Sequence, residues 1–178
     1  MQLAAAGYSV TSVDASAGRL KRLRENLDRT RLEAKLVEAD ALEWTPARPV
    51  DAILLDAPCS ATGTFRRHPE VLYRVRRDII ESGAELQFRL LARAADWLKP
   101  GGALVYSVCS LEPEEGEEMI SALLEARSDL AIQPPAPGEL PDFVTSSPEG
   151  WVRILPGLLA AEGGLDGFFM ARLVRRVG

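Results

Sequence analysis

The sequence predicts an α/β protein, a mostly parallel sheet with helices on both faces. Three observations predict it. β-Rich runs alternate with amphipathic stretches along the chain. The early runs end at acids or at a cysteine, namely Asp14, Asp40, Asp56 and Cys109. Two late β-rich runs, Trp151 to Leu155 and Gly167 to Val174, read as an antiparallel pair.

The elements follow in order. Tyr8 to Val13 is β-rich and ends at Asp14. Ser16 can cap a helix from Ala17 to about Asp28, with Leu20, Leu23 and Leu27 on one face. Lys35 to Ala39 is a short strand ending at Asp40. Val50 to Leu55 is an apolar strand, interrupted by Asp51, that ends at Asp56. A loop with Gly63 and several arginines follows. Glu85 to Leu98 has the spacing of a helix with Leu86, Leu90, Leu91, Ala94 and Leu98 inward, and Lys99-Pro-Gly-Gly102 stops it. Ala103 to Val108 is a strand ending at Cys109. Pro113 to Arg127 reads as a helix with proline and glutamates in its first turn, where the helix dipole favours negative charge. Pro134 to Pro148 is a proline-rich loop.

A length of 178 residues supports one domain with a real core. There is no internal repeat, so 1–178 reads as a single domain. With 47% hydrophobic and 26% charged residues the composition is that of an ordinary globular protein. No apolar run approaches the roughly 20 residues that span a bilayer. Met1 to Ala6 lacks the basic flank and length of a signal peptide. The expected setting is the cytoplasm, without a membrane and without a disulfide framework.

The net charge of -5 argues against nucleic-acid binding through bulk charge, but the charge is polarised. Phe65 to Asp78 holds five arginines (Arg66, Arg67, Arg74, Arg76, Arg77) and His68, the only histidine, against two acids. Glu112 to Glu118 holds five glutamates, read as helix-start electrostatics and solubility.

The two cysteines stand in matching places. Each follows an apolar run and precedes a serine: Asp56-Ala-Pro-Cys-Ser-Ala-Thr-Gly63 and Val108-Cys-Ser110. Ligands of such sheets bind beyond the carboxyl ends of the strands. If the strands ending at Asp56 and Cys109 are neighbours, about 4.8 Å apart, both thiols face one crevice.

These two motifs, with Arg66-Arg-His-Pro-Glu70, Pro113-Glu-Glu115 and Asp166-Gly-Phe-Phe169, resemble the S-adenosylmethionine-dependent RNA cytosine-5 methyltransferases, closest to the RsmB/Sun group that modifies 16S ribosomal RNA. The resemblance covers nearly the whole chain. It implies a Rossmann-like class I methyltransferase sheet, S-adenosylmethionine as cofactor, and RNA, namely small-subunit ribosomal RNA, as partner of a monomer that needs no metal. It implies that Cys109 adds to carbon 6 of cytosine, making carbon 5 nucleophilic enough to take the methyl group, and that Cys59 assists product release. Asp14 is expected to bind the ribose hydroxyls, as an acid ending the second strand does in other nucleotide-binding sheets. Asp40 is expected at the adenine end, Asp56 near the methionine end and the target base, and Arg19 beside the cofactor. Arg66, Arg67 and His68 would grip RNA phosphates and stack on splayed bases.

Two departures from the family pattern stand out. Its first strand, glycine-rich loop and helical RNA-binding domain have no counterpart; Met1 to Ala6 resembles the tail of the helix after that loop, so the chain reads as the C-terminal part of a longer, N-terminally truncated catalytic domain. Val108 stands where the family usually has threonine. Competing readings are a non-catalytic RNA-binding relic and a methyltransferase acting on base amino groups or small molecules. The latter commonly carry Asp/Asn-Pro-Pro-aromatic where this chain has Asp56-Ala-Pro-Cys59, and would leave the second cysteine without a role. A cysteine hydrolase is disfavoured, because His68 sits in an arginine-rich loop with no evident orienting partner. Trp44, Trp97 and Trp151 are assigned to core packing.

Overall fold

The computed structural model describes residues 1–177, which divide into two compact units, the first Met1–Pro46 and the second beginning at Ala47. In the first unit a short helix α1 (Gln2–Ala5) precedes strand β1 (Thr11–Asp14), helix α2 (Ala17–Thr30) and strand β2 (Lys35–Glu38). β1 and β2 pair in parallel from Thr11↔Lys35 to Asp14↔Glu38, with α2 as the crossover. Ser16 caps α2 as expected: its backbone is extended and its Oγ accepts from Arg19 N at 3.3 Å. The helix buries Leu20 and Leu27.

The second unit contains β3 (Val50–Asp56), α3 (Val71–Arg74), α4 (Arg77–Asp96), β4 (Leu98–Val108), α5 (Glu117–Ala126), β5 (Leu130–Ile132), β6 (Val152–Ile154) and β7 (Phe168–Arg175). Its sheet has the order β3-β4-β7-β5, and β6 also pairs with β7. β3 and β4 are parallel, while β7 is antiparallel to β4, β5 and β6. β7 therefore runs alone against the other strands, which is the mostly parallel sheet with an antiparallel late strand that the sequence predicts. The core combines Leu91 and Ala95 of α4, Leu104, Tyr106 and Val108 of β4, Ile120 and Leu123 of α5, and Phe169 and Leu173 of β7.

Several boundaries differ from expectation. α4 starts at Arg77 rather than Glu85, and its buried stripe is Ile80, Gln87, Leu91, Ala94 and Ala95; Leu86, expected inward, is exposed. β4 begins at Leu98, not Ala103: Leu98 pairs with Val50, and the ladder shifts register before Ala52↔Ala103, with Gly101 in the left-handed region at φ 78°. The helix expected from Pro113 is a 3-10 turn (Pro113–Glu115), a break at Gly116 (φ -121°, ψ -100°), and then α5. Among the described residues no helix is long and apolar enough to cross a membrane.

Candidate active site

The parallel pairing of β3 with β4 sets Asp56 opposite Ser107, so the segments leaving both strands emerge side by side. Cys59 Sγ and Cys109 Sγ lie 3.6 Å apart. Backbone bonds stitch the segments together: Ala57 N donates to Ser107 O at 3.0 Å and Gly63 N to Cys109 O at 3.0 Å. Leu111 N donates to Thr62 Oγ1 at 2.9 Å. A third segment joins them where Gly167 N donates to Gly63 O at 2.7 Å. At this crossing a Cβ on Gly63 would sit 2.2 Å from Gly167 O, so only glycine fits. The turn also holds Ala61 in the left-handed region at φ 58°, a conformation costly for a residue with a Cβ. Three segments far apart in the sequence thus meet in one place.

Beneath the thiols lies a buried polar cluster. Glu115 and Gln87 are fully buried. Glu115 accepts from Ser60 N at 2.9 Å, from Ser60 Oγ, and from Gln87 Nε2 at 2.9 Å. Gln87 Nε2 also donates to Pro58 O at 2.8 Å. Tyr106 Oη lies 2.8 Å from Glu115 O and 3.0 Å from Gln87 Oε1; burial, with the nearby Glu115 carboxylate, pushes its phenol up and keeps it a donor. Ser110 Oγ accepts from Glu112 N and touches the hydroxyls of Ser60 and Thr62. From β6, Arg153 donates to Ser110 O at 3.0 Å, pairs with Glu117, and lies 5.1 Å from the Phe169 ring centre. Such a satisfied network is rigid, and each of its members is costly to leave unpaired.

The two thiols titrate as a pair. The hydrogen bond from Cys59 holds the Cys109 thiol down at about 7, against burial and the charges of Asp56 and Glu115. The same contact, with burial, pushes the Cys59 thiol up. Ionisation of the pair is thus directed to Cys109, with the Cys59 S–H as its donor once Cys109 is ionised.

Arg67 grips both carboxylate oxygens of Asp166, and Arg66 stands 3.6 Å from the same group. Arg67 holds the Asp166 carboxyl below the usual carboxylate range, with Arg66 adding to the effect. His68 Nδ1 lies 3.3 Å from Glu70 Oε1. All three residues expected at RNA thus carry an acidic partner, while their side chains keep 40% (Arg66), 58% (Arg67) and 54% (His68) exposure.

In the first unit, Asp14 ends β1 and Asp40 follows the adjacent β2. Asp14 accepts from Ser16 N at 2.7 Å and is forked by Arg19 at 2.7 Å on each oxygen. That fork, opposed by partial burial, lowers the Asp14 carboxyl below its usual range. Asp40 Oδ1 accepts from Leu42 N at 2.8 Å and shapes the turn after β2. Among the described residues no cluster of three or more His, Cys, Asp or Glu side chains could hold a metal. Gln87 and Arg153 were not picked out in the sequence, and Ser60, Ser110 and Glu115, though inside the quoted motifs, were given no role in the site. One signal was present: Gln87 is a polar residue in register with Ile80, Leu91 and Ala94 on the buried stripe of α4.

The fold is that of the class I S-adenosylmethionine-dependent methyltransferases. It superposes on the crystal structure of NSun6 from Pyrococcus horikoshii with SFG (TM-score 0.78, 28% identity, 96% of this chain and 42% of that one). A methyltransferase homologue from the same organism gives TM-score 0.73 at 33% identity, over 94% of this chain and 53% of that one. The model of the 16S rRNA methyltransferase RsmB/F family matches residues 1–174, and the chain belongs to that family. It is 41% identical over 167 residues to the ribosomal RNA small subunit methyltransferase B of Shewanella oneidensis, covering 92% of this chain and 37% of that protein. The Pseudomonas putida protein of the same name is 43% identical over 172 residues, with 94% and 37% covered. The chain thus spans less than half the length of the curated relatives it matches.

Proposed function

We propose that this chain carries the reacting groups of an enzyme that methylates carbon 5 of a cytosine in small-subunit ribosomal RNA, through a covalent adduct on Cys109, acting as a monomer in the cytoplasm. The observation that carries this reading is the thiol pair, 3.6 Å apart at the end of a parallel strand pair, with Cys109 ionising at about 7.

Cys109 Sγ adds to carbon 6 of the ring, forming an S–C bond and moving the carbon 5–carbon 6 electron pair to carbon 5. Carbon 5 then takes the methyl group. Solvent water takes the carbon 5 proton, the C–H electron pair restores the carbon 5–carbon 6 double bond, and the S–C bond breaks with its pair on sulfur to release a thiolate. A thiol of lower pKa leaves faster, so the Cys59 S–H that stabilises the Cys109 thiolate assists this last step.

S-adenosylmethionine, when bound, supplies an electrophilic methyl group on a sulfonium. The first unit has acceptors that fit its hydroxyl and amino groups: two carboxylates, Asp14 at the carboxyl end of β1 and Asp40 just past that of the adjacent parallel β2. We assign Asp14 to the ribose hydroxyls, Asp40 to the adenine end and Asp56 to the methionine end, with Arg19 holding the Asp14 carboxylate. The solvent-facing edges of Arg66 and Arg67, with His68, are assigned to RNA.

The test is trapping. With small-subunit RNA containing 5-fluorocytosine and with S-adenosylmethionine, the protein should form a complex stable to denaturation, because the fluorine cannot leave as the proton does. Cys109→Ala should abolish the complex. Trapping that persists in Cys109→Ala overturns the assignment of Cys109.

A further inference from the structure

We propose that Glu115 is the positioning residue of the thiol pair: together with Gln87 it fixes the backbone on both sides of Cys59 and so holds the Cys59 Sγ–H against Cys109 Sγ. This deepens the function proposed above and rests on its reading of the two cysteines as the reacting pair.

Cys59 is flanked by two residues that are each held from the side. On one side, Pro58 O accepts from Gln87 Nε2 at 2.8 Å. On the other, Ser60 gives both its amide and its hydroxyl to Glu115. Gln87 Nε2 and Glu115 Oε1 are themselves bonded at 2.9 Å. The residues before and after Cys59 are therefore held by two side chains that hold each other, both fully buried. Glu118, by contrast, faces solvent, as a residue serving helix-start electrostatics or solubility would. A carboxylate buried among neutral donors is costly, so it calls for a geometric reason. Its charge supplies none, because a negative charge here opposes the Cys109 thiolate.

The charged and titratable groups that face Cys109 are Cys59, Asp56 at the end of β3, Glu115, and Arg67 from the loop after the Cys59 turn. Electrostatic and positioning roles for Glu115 therefore predict opposite signs. If its charge alone mattered, Glu115→Gln and Glu115→Ala would both lower the pH at which Cys109 ionises. If it positions Cys59, Glu115→Ala raises that pH, because the Cys59 hydrogen bond is lost. Glu115→Gln does not raise it: the amide oxygen still accepts from Ser60 N and Gln87 Nε2 and the amide nitrogen donates to Ser60 Oγ, while the opposing charge is gone.

The experiment is the pH profile of iodoacetamide alkylation of the 178-residue chain, with the labelled peptides assigned by mass spectrometry and circular dichroism as the fold control. The Cys109 midpoint should be near pH 7 and should move in Glu115→Ala toward the ordinary thiol value of about 8.5. Cys59→Ala should give the same rise, and adding Glu115→Ala to it should change little, because both act through one hydrogen bond. Should Glu115→Ala lose its fold, Ser60→Ala, which removes only the hydroxyl, should give a smaller rise of the same sign. A midpoint that rises in Cys59→Ala but stays or falls in folded Glu115→Ala, or in Ser60→Ala where Glu115→Ala does not fold, overturns the proposal alone. A midpoint near 8.5 in the unsubstituted chain overturns the thiolate premise of the proposed function, and this proposal with it.

Discussion

At the scale of single residues, Gly63 shows how closely the thiol turn is built. Its amide is bonded to Cys109 O, its carbonyl to Gly167 N, and a Cβ would meet the backbone of Gly167 at 2.2 Å. A backbone neighbour cannot rotate aside as a side chain can. Gly63→Ala should therefore cost about 3 kcal/mol, a fall in Tm of roughly 6–12 °C for a chain of this size, measurable by thermal unfolding. An unchanged Tm would show that the crossing is loose. The cysteines were legible in the sequence because their signal is local: each follows an apolar strand and precedes a serine. Glu115 was not, because the contacts that define it come from residues 28 and 55 positions away. In sequence it is one of five glutamates between Glu112 and Glu118, and only the fold turns it inward.

At the scale of elements, the strands that end at functional positions were the legible ones. β1, β3 and the last part of β4 fall where β-rich runs stop at Asp14, Asp56 and Cys109. Burial on a parallel ladder demands such runs. β5 was missed because Leu130–Ile132 is three residues of unremarkable composition, fixed as a strand only by pairing with β7. The start of α4 was missed because Arg76 makes no side-chain cap, which leaves no local mark. The helix expected from Pro113 breaks at Gly116, where Arg153 and Phe169 pack so closely that an added Cβ would meet them at 2.5 Å and 3.2 Å. β6 and β7 thus determine how the segment after Cys109 can run, a constraint that lies some forty residues downstream.

At the scale of the whole molecule, the two units differ in what they bury. The first unit has Leu20 and Leu27 as its buried apolar residues, whereas the second holds the large cluster around Leu104, Tyr106 and Phe169. Apolar burial is the main favourable term in folding, and regions with little of it open first. Backbone amides of β1, α2 and β2 should therefore exchange with deuterium well before those of β4 and β7, as followed by mass spectrometry. Equal protection in the two units would contradict this. Most of the clustered arginines are matched within the second unit, Arg66 and Arg67 by Asp166, Arg76 by Asp78 and Arg77 by Glu81, and of the clustered glutamates Glu117 is matched by Arg153. The polarised charge of the sequence is thus partly internal bracing.

The thiol pair also makes a pincer for a soft, thiophilic atom. A trivalent arsenical, which takes two sulfurs at once, would find both already set side by side in the folded chain. In the unfolded chain it would first have to close a loop of about fifty residues, at an entropic cost. A resin carrying such an arsenical should retain molecules whose crevice is assembled and retain unfolded ones less, so a single reagent would count intact sites in a preparation before any RNA or cofactor is added.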